Sequence, residues 1–271
     1  MVIWQGDFYK RSLFDQQGEM LWELVITDQQ GTMIHEAKCP QSQANSDWLI
    51  RQLQQATQKN IPDLIQVFRP QSIGLLTSAA EKLGIKVVPT RRTSALKEVL
   101  KRRSTNTTID VSTLDRPPPQ GLPENLWGEQ WGFISLKAGD LIQFFRDRPI
   151  PIVDMPEDLL PINLNLPSTV FIPGIVIYGG RKSMYLARWL EEQQPVSISY
   201  IPTQIGLSGG LVLESGLVDR WILATFEDPE MAQAAQKYED RKVMSKGLHF
   251  LTVQPDDSGI TYTGFWLLND D

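Results

Sequence analysis

The 271-residue sequence has little of the residue types on which disulfide-linked and metal-dependent proteins rely. Its single cysteine, Cys39, excludes a disulfide within the chain and favours a reducing compartment. Its two histidines, His35 and His249, lie far apart and lack the spacing of metal ligands. No apolar run reaches membrane-spanning length, and the first residues lack the pattern of a signal or transit peptide. We therefore expect a cytoplasmic protein without membrane insertion.

Motifs for nucleotide cofactors and for metal-dependent hydrolysis are also missing. The sequence has neither the glycine fingerprint of dinucleotide-binding proteins nor a GxxxxGK[ST] phosphate loop, so we predict no cofactor. Two-metal cleavage of phosphoesters needs clustered carboxylates, and Asp28 and Asp47 are the available ligands near the predicted sheet. Asp28 fits a turn beside Gly31, and the cation of Arg69 at the end of a strand opposes metal binding. We predict neither a metal site nor enzyme activity.

The stretch 63–103 predicts the architecture of the first half. Apolar residues of strand length, 64–68, precede a helical pattern over 73–83, and a second buried strand follows at 85–88. Parallel strands joined by a crossover helix need a sheet covered on both faces, so this half is predicted to be α/β. An aromatic-rich segment, two strands and a helix come before it: 3–13, 20–27, 32–37 and 42–58. This order of elements resembles the ribonuclease H-like fold.

The second half of the sequence also contains both strand and helix patterns, but it does not repeat the residues of the first half. Strands and helices are predicted at 132–136, 138–145, 175–178, 184–192, 196–201, 210–215, 220–226, 230–246, 248–254 and 260–268. The predicted fold class is therefore α/β, with two α/β domains that contain mixed sheets. Their bounds are 1–104 and 131–271, and a proline-rich linker, 105–130, separates them.

A cationic segment ends the first predicted domain. Between Lys82 and Arg103 there are eight basic residues and one acid, Glu98, which gives a local charge of about +7 in a chain of net charge −6. Two interpretations stay open, a solvated helix face and a surface that binds phosphates at the carboxyl end of a strand. The second predicts RNA contacts from six residues: Arg91, Arg92, Lys97, Lys101, Arg102 and Arg103.

Two further places are candidates for the same ligand. Trp127 and Trp131 could stack bases of a single strand, although aromatic residues after a linker also serve to seat it on a core. Gly179, Gly180, Arg181 and Lys182 join a predicted strand to a helix, so their backbone amides and cations could hold an anion. The alternative is a tight turn whose glycines let the strand meet its helix.

Several short motifs occur together in an order that identifies a family resemblance. They are Trp22 to Val25, Pro89 to Arg92, Leu122 to Leu126, Gly128 to Phe133, Gly179 to Arg181, Gly247 to Leu251 and Gly264 to Leu268. With these motifs, the chain resembles the RNA-binding translation activators of chloroplasts and cyanobacteria over nearly its whole length. Because the sequence begins directly with the family's Ile-Trp-Gln-Gly-Asp segment, it looks like a cyanobacterial member.

The resemblance implies a function that composition and spacing do not. It implies binding of single-stranded RNA, such as the leader of a psaB-like messenger, and a role in translation or biogenesis of photosystem I with translation or assembly proteins as partners. It carries over no catalytic residues. Two alternatives stay open: a metal-dependent nuclease or phosphoester hydrolase on a ribonuclease H-like scaffold, and an assembly scaffold that contacts proteins.

Overall fold

The structure, a computed structural model, describes residues 1–58, 60–104 and 116–270. The chain divides into two compact units, Met1–Asp115 and Arg116–Asp271. We call them the first and the second unit. Within the described residues no helix is long and apolar enough to cross a bilayer.

The first unit contains five strands and three helices among its described residues. They are β1 (Ile3–Phe14), β2 (Met20–Asp28), β3 (Met33–Pro40), α1 (Ser46–Ala56), β4 (Leu64–Val67), α2 (Pro70–Glu81), β5 (Lys86–Pro89) and α3 (Ser94–Ser104). The strands form one sheet in the order β3-β2-β1-β4-β5. Its first three strands are antiparallel neighbours, whereas β1, β4 and β5 run parallel. The sheet is therefore mixed.

Helices cover both faces of this sheet. On one face, α1 and α2 pack their apolar sides against Trp4 and Phe8 of β1. On the other face, α3 contributes Leu96 and Leu100 to a small cluster with Phe68 and a valine of β2. Parallel strands need such double cover, because their crossover helices must lie on a face of the sheet.

The second unit contains nine strands and three helices in its described part. They are β6 (Gln120–Gly121), β7 (Gln130–Lys137), α4 (Ala138–Arg146), β8 (Ile152–Asp154), β9 (Phe171–Tyr178), α5 (Ser183–Gln193), β10 (Pro195–Gln204), β11 (Ser208–Ser215), β12 (Asp219–Phe226), α6 (Pro229–Met244), β13 (Leu248–Gln254) and β14 (Gly264–Asn269). One sheet has the order β7-β9-β13-β14-β8 and the other β10-β11-β12-β6. Both sheets combine parallel and antiparallel pairs.

The five-stranded sheet of the second unit is buried on both faces. One face packs with α5 and with the four-stranded sheet, and the other packs with α4 around Phe145, Phe250 and Phe265. Every residue of β13 is buried, as expected for a central strand between two layers. The chain therefore has three separate mixed sheets in its described part, one in the first unit and two in the second.

The predicted fold class, two α/β domains with mixed sheets, is confirmed. The aromatic-rich segment 3–13 is the central strand of the first sheet, and β8 lies in a stretch for which the sequence pattern predicted no element. The likeness of the first unit to ribonuclease H-like proteins stays a prediction.

The structure describes only the second part of the predicted linker, 105–130. Residues 105–115 lie outside the described residues. From Arg116 onward the chain belongs to the second unit, where β6 pairs with β12 and Leu122 and Leu126 are buried in its core. The structure therefore places 116–130 in a folded unit, because two leucines between the prolines and the tryptophans bury their side chains.

Candidate nucleic-acid interface

The cations of the segment 82–103 differ in their exposure and in their partners. Arg91 and Lys97 are buried, with 2% and 7% of their surface exposed. Arg103 is engaged by two carboxylates, which are described below. The remaining cations are exposed: Lys82, Lys86, Arg92, Lys101 and Arg102. The interpretation as a solvated helix face therefore fits some of these residues and not others.

The buried pair of this segment holds the turn before α3. Lys97 donates from Nζ to the backbone carbonyl of Arg91 at 2.9 Å, and its ammonium lies over the ring of Phe68 at 5.6 Å. A buried side chain that is engaged by the protein itself cannot reach the phosphates of a strand on the surface. Burial therefore disfavours phosphate contacts by Arg91 and Lys97, and their role in RNA binding stays a prediction.

A side chain of β1 fixes the amino end of α3 on the sheet. The Oε1 atom of Gln5 accepts a hydrogen bond from the amide of Leu96 at 3.0 Å, and Nε2 of Gln5 donates to Gln66 and to the carbonyl of Arg92. The first amides of a helix have no partner within the helix, so an acceptor from elsewhere stabilises this end. Gln5 therefore acts as a cap that comes from a distant part of the chain.

The carboxyl end of α3 is fixed by an ion pair. Arg103 donates to Glu23 of β2 at 2.8 Å and also to Glu36 of β3. Burial of the Glu23 carboxyl opposes its ionisation, but the hydrogen bond and the charge of Arg11, together with the charges of Arg103 and Lys38, hold the pKa of Glu23 below its ordinary value. The cation of Arg103 is used in attaching α3 to the sheet.

A buried ion network continues from Glu23 across the sheet. Arg11 bonds Glu23 at 2.8 Å and Asp7 at 3.2 Å, and Arg69 bonds the other oxygen of Asp7 at 2.9 Å. The guanidinium of Arg69 also stacks over the ring of Tyr9 at 4.1 Å. Each carboxylate therefore faces an arginine, as buried charges require. This network holds the surface beneath α3 in a fixed arrangement.

With both ends of α3 fixed, its exposed cations have a defined place. Lys101 and Arg102 lie in the last turn of α3, and Arg92 precedes the helix. All three are exposed, and Arg102 also contacts Glu98 one turn earlier at 3.2 Å. We call Arg92, Lys101 and Arg102 the α3 surface. These three residues belong to the predicted cationic segment, and both their position and their exposure fit phosphate contacts.

The two predicted tryptophans differ in exposure. Trp127 is 46% exposed, and its indole N–H donates to the carbonyl of Leu122 at 3.2 Å. Trp131 is partly buried against the core and contacts Phe133 and Phe226 with ring centroids 5.4 and 5.8 Å apart. Only Trp127 offers a ring with a large exposed area.

The glycine turn of the second unit has little capacity for an anion. The amides of Gly179 and Gly180 donate to the carbonyls of Gln254 and Pro255 at 2.8 and 2.9 Å. The Cα of Ser183 lies 2.6 Å from where a Cβ on Gly179 would be, so the turn needs glycine to bring the strand close to α5. These hydrogen bonds disfavour a phosphate contact by the two glycine amides, which stays a prediction, and Arg181 and Lys182 are exposed beside them.

Asp28, a candidate metal ligand by its position in the sequence, ends β2 and begins the turn that leads to β3. Asp28 accepts hydrogen bonds from the amides of Gln30 and Thr32, so it is the turn residue that the sequence favoured. Slight burial opposes ionisation, but these amides and the amide of Gly31 hold the pKa of Asp28 below its ordinary value. Within residues 1–58, 60–104 and 116–270, no three His, Cys, Asp or Glu side chains are grouped as metal ligands.

Two domain models of one protein family match most of the chain. Residues 3–103 match the model of the RNA-binding protein Tab2/Atab2 N-terminal domain, and residues 109–269 match that of its C-terminal domain. The chain belongs to the Tab2/Atab2 family of RNA-binding proteins. The two matched ranges correspond closely to the two compact units, so the family and the fold divide the chain in the same region.

Two plant proteins are similar to the chain over almost all of its length. The protein TAB2 homolog, chloroplastic, of Arabidopsis thaliana is 31% identical over 284 residues, which cover 98% of this chain and 74% of the relative. The protein of the same description from Zea mays is 28% identical and covers 98% and 71%. The predicted family resemblance is confirmed. The cyanobacterial source stays a prediction.

Among solved structures, the catalytic domain of Mos1 mariner transposase is similar at 18% identity. The match covers 34% of this chain and 50% of that one, with a TM-score of 0.24. At that score the likeness carries no argument about fold or function.

The sequence reasoning did not single out the residues that fix α3. Gln5, Asp7 and Arg11 alternate in β1 with Trp4 and Phe8, and such a period of two usually indicates one buried and one solvated face. Here the polar face is buried as well, because α3 lies over it. Glutamine, aspartate and arginine on one face of a central strand are the signal that could have indicated a covered polar network.

Proposed function

We propose that the chain is a non-catalytic RNA-binding protein that promotes translation or biogenesis of photosystem reaction-centre subunits. Its ligand is single-stranded RNA in the leader of a messenger, of which a psaB-like leader is the example that the family resemblance suggests. Membership of the Tab2/Atab2 family supports RNA binding. The exposed cations of the α3 surface are the single structural observation that carries the proposal.

Phosphate contacts explain how this surface would act. Lysine and arginine neutralise phosphates and release counterions, which gives an affinity that falls with salt and that does not depend on base sequence. Because Gln5 and Arg103 fix both ends of α3, the helix backbone needs little ordering before its cations bind. Discrimination among messengers then has to come from other contacts, or from the partners that deliver the RNA.

The salt dependence of RNA affinity tests the α3 surface. Three phosphate contacts by Arg92, Lys101 and Arg102 predict a slope of log affinity against log salt of roughly −2 for a single strand. The triple alanine variant is expected to lose most of that slope and to bind all RNA sequences more weakly by a similar factor. Anisotropy of a fluorescein-labelled 20-nucleotide RNA, at several salt concentrations, measures both quantities.

A matched control lies on the opposite side of the same sheet. Arg51 is an exposed cation of α1, which packs on the face away from α3. Arg51→Ala removes one charge from the first unit and is expected to leave the slope unchanged. Equal slopes for the wild type and the triple variant would exclude the α3 surface, and a slope changed as much by Arg51→Ala would indicate a diffuse charge effect.

Incubation of the protein with labelled RNA and Mg²⁺ or Mn²⁺ tests the absence of catalysis. We expect intact RNA, because the Asp7 carboxylate faces Arg11 and Arg69. RNA cleavage by the wild type that depends on the added metal ion would favour the nuclease alternative. Crosslinking in a photosynthetic cell, followed by sequencing of the bound fragments, tests the messenger: enrichment of photosystem leaders supports the proposed role, and their absence contradicts it.

A further inference from the structure

The outer face of α5 carries a stripe that the proposed function does not use. Ser183, Leu186, Ala187 and Leu190 turn one side of α5 into the core of the second unit. At a period of 3.6 residues, the opposite side of the helix holds three residues one turn apart, Tyr185, Arg188 and Glu192. Arg181 lies just before α5 in the short 3-10 turn of Gly180–Lys182, and all four residues are exposed.

The exposed aromatic side chain is the first unusual feature of this stripe. Tyr185 is 68% exposed, although its ring carries a large apolar surface. It contacts no other aromatic ring among the described residues. A single exposed aromatic is common on protein surfaces, so its meaning depends on its neighbours.

Those neighbours are cations in a unit that is otherwise acidic. The second unit has 12 basic and 20 acidic residues, yet 181–190 contains three cations and no acid. None of Arg181, Lys182 and Arg188 has a described carboxylate within ion-pair distance. The opposing acids are Glu191 and Glu192 at the end of the stripe and Glu129, whose carboxylate lies against Gly180.

We infer that this stripe is a second contact site for single-stranded RNA, in which Tyr185 stacks on a base and Arg181 and Arg188 contact the phosphates on either side. A flat ring between two cations matches the alternation of base and phosphate along a strand. Residues three apart on a helix are neighbours, so Arg188 lies one turn after the ring, and Arg181 precedes Tyr185 by four residues in the turn that leads into α5. The inference rests on the proposed function, because it assigns the same ligand to a second place.

Two variants separate the stacking contact from the charge contact. Tyr185→Ala is expected to weaken binding of the labelled 20-nucleotide RNA by about 5- to 150-fold without changing the salt slope. Arg188→Ala is expected to reduce the magnitude of the slope by about 0.7. Tyr185→Phe keeps the ring and is expected to bind like the wild type. Thermal unfolding of each variant checks that the fold is intact, which an exposed position favours.

A control cation and a direct readout complete the experiment. Lys237 is exposed on α6 of the same unit, and Lys237→Ala is expected to leave the slope unchanged. Ultraviolet crosslinking of RNA, followed by mass spectrometry, is expected to yield a nucleotide adduct on the peptide that contains Tyr185.

The possible results distinguish this inference from the proposed function. If the wild type does not bind RNA, both fail. If the wild type binds with a slope that the α3 surface controls, while Tyr185→Ala and Arg188→Ala bind like the wild type, only this inference fails. Loss of binding in Tyr185→Phe equal to that in Tyr185→Ala would overturn stacking, because the two variants differ in the ring.

Discussion

The two units of this protein manage charge in different ways. The first unit has 14 basic and 12 acidic residues, a formal charge of +2, and the second has 12 and 20, a formal charge of −8. In the first unit, buried charges pair with one another beneath α3, as Asp7 does with Arg11 and Arg69. The net charge counted along a segment therefore differs from the charge that it exposes to solvent, because some of its cations pair with carboxylates inside the fold.

In the second unit, buried polar side chains serve the backbone of an edge strand. The amide of Ile198 in β10 donates to Nε2 of His249 at 2.8 Å, and its carbonyl accepts from Nζ of Lys242 at 2.8 Å. The amide of Tyr200 donates to Glu239 at 2.7 Å. An unpaired strand edge is a template for aggregation, so these side chains protect β10. The comparison is therefore between ion pairs beneath a helix and polar side chains along the edge of a strand, and the following substitutions test both units.

The largest effect is expected at the centre of the ion network. Asp7→Ala leaves Arg11 and Arg69 buried without their carboxylate, and loss of one partner of a buried pair costs about 3–5 kcal/mol. Hydrogen exchange of β1 and β4 amides with increasing urea measures this cost in the first unit. Exchange in β13 serves as the reference for the second unit. A cost below about 1 kcal/mol would mean that the network does not hold the sheet.

Acid is expected to affect the second unit before the first. Burial, and then the charge of Lys242, lower the pKa of His249 to about 3, although its bond to the Gly247 carbonyl opposes this. The unfolded chain therefore binds a proton below about pH 6.5 that the folded chain does not, and stability falls by about 2 kcal/mol at pH 5. Glu23 also has a lowered pKa, so its contribution is present above the ordinary carboxyl pKa of 4.5 and is lost only below it.

Thermal unfolding between pH 8 and pH 4 checks this difference. The loss between pH 6.5 and pH 5 should be absent in His249→Gln and retained in His35→Gln, which leaves the buried imidazole of His249 in place. An unchanged loss in His249→Gln would assign the effect to other groups.

A smaller effect is expected at the amino end of α3. Gln5→Ala removes the acceptor for the amide of Leu96, and loss of a helix cap costs about 0.5–2 kcal/mol. Urea unfolding of Gln5→Ala measures this loss, and a loss below about 0.5 kcal/mol would show that the cap contributes little. The RNA salt slope of Gln5→Ala also tests whether a fixed α3 matters for binding.

The smallest effect is expected for the exposed pair of α3. Glu98 and Arg102 contact each other with about 70% of each side chain exposed, and such surface pairs contribute less than about 1 kcal/mol. Glu98→Ala should leave unfolding almost unchanged, while it raises RNA affinity by removing the acid of the cationic segment. A decrease in RNA affinity would contradict phosphate contacts by Arg102.

Sequence patterns gave a good account of the elements that local periodicity specifies. The helix of 73–83 and the strand of 85–88 are close to α2 and β5, because apolar spacing reflects contacts between near neighbours. The exposure of the candidate site residues was harder to predict. Arg91 and Arg92 are adjacent and chemically identical, yet one is buried and the other exposed. No local pattern distinguishes them, since the difference comes from how the chain turns over the sheet.

The sequence by itself determined the α/β class, the family and the presence of a cationic segment, because all three are written in periodicity, motif order and composition. Only the tertiary structure decided which cations are displayed. Gln5 reaches an amide 91 residues away, and Arg103 reaches a carboxylate 80 residues away. It also decided that the amides of Gly179 and Gly180 are occupied. Such partners meet only when the sheets are assembled, because hydrogen bonds and burial depend on distance in space and not along the chain.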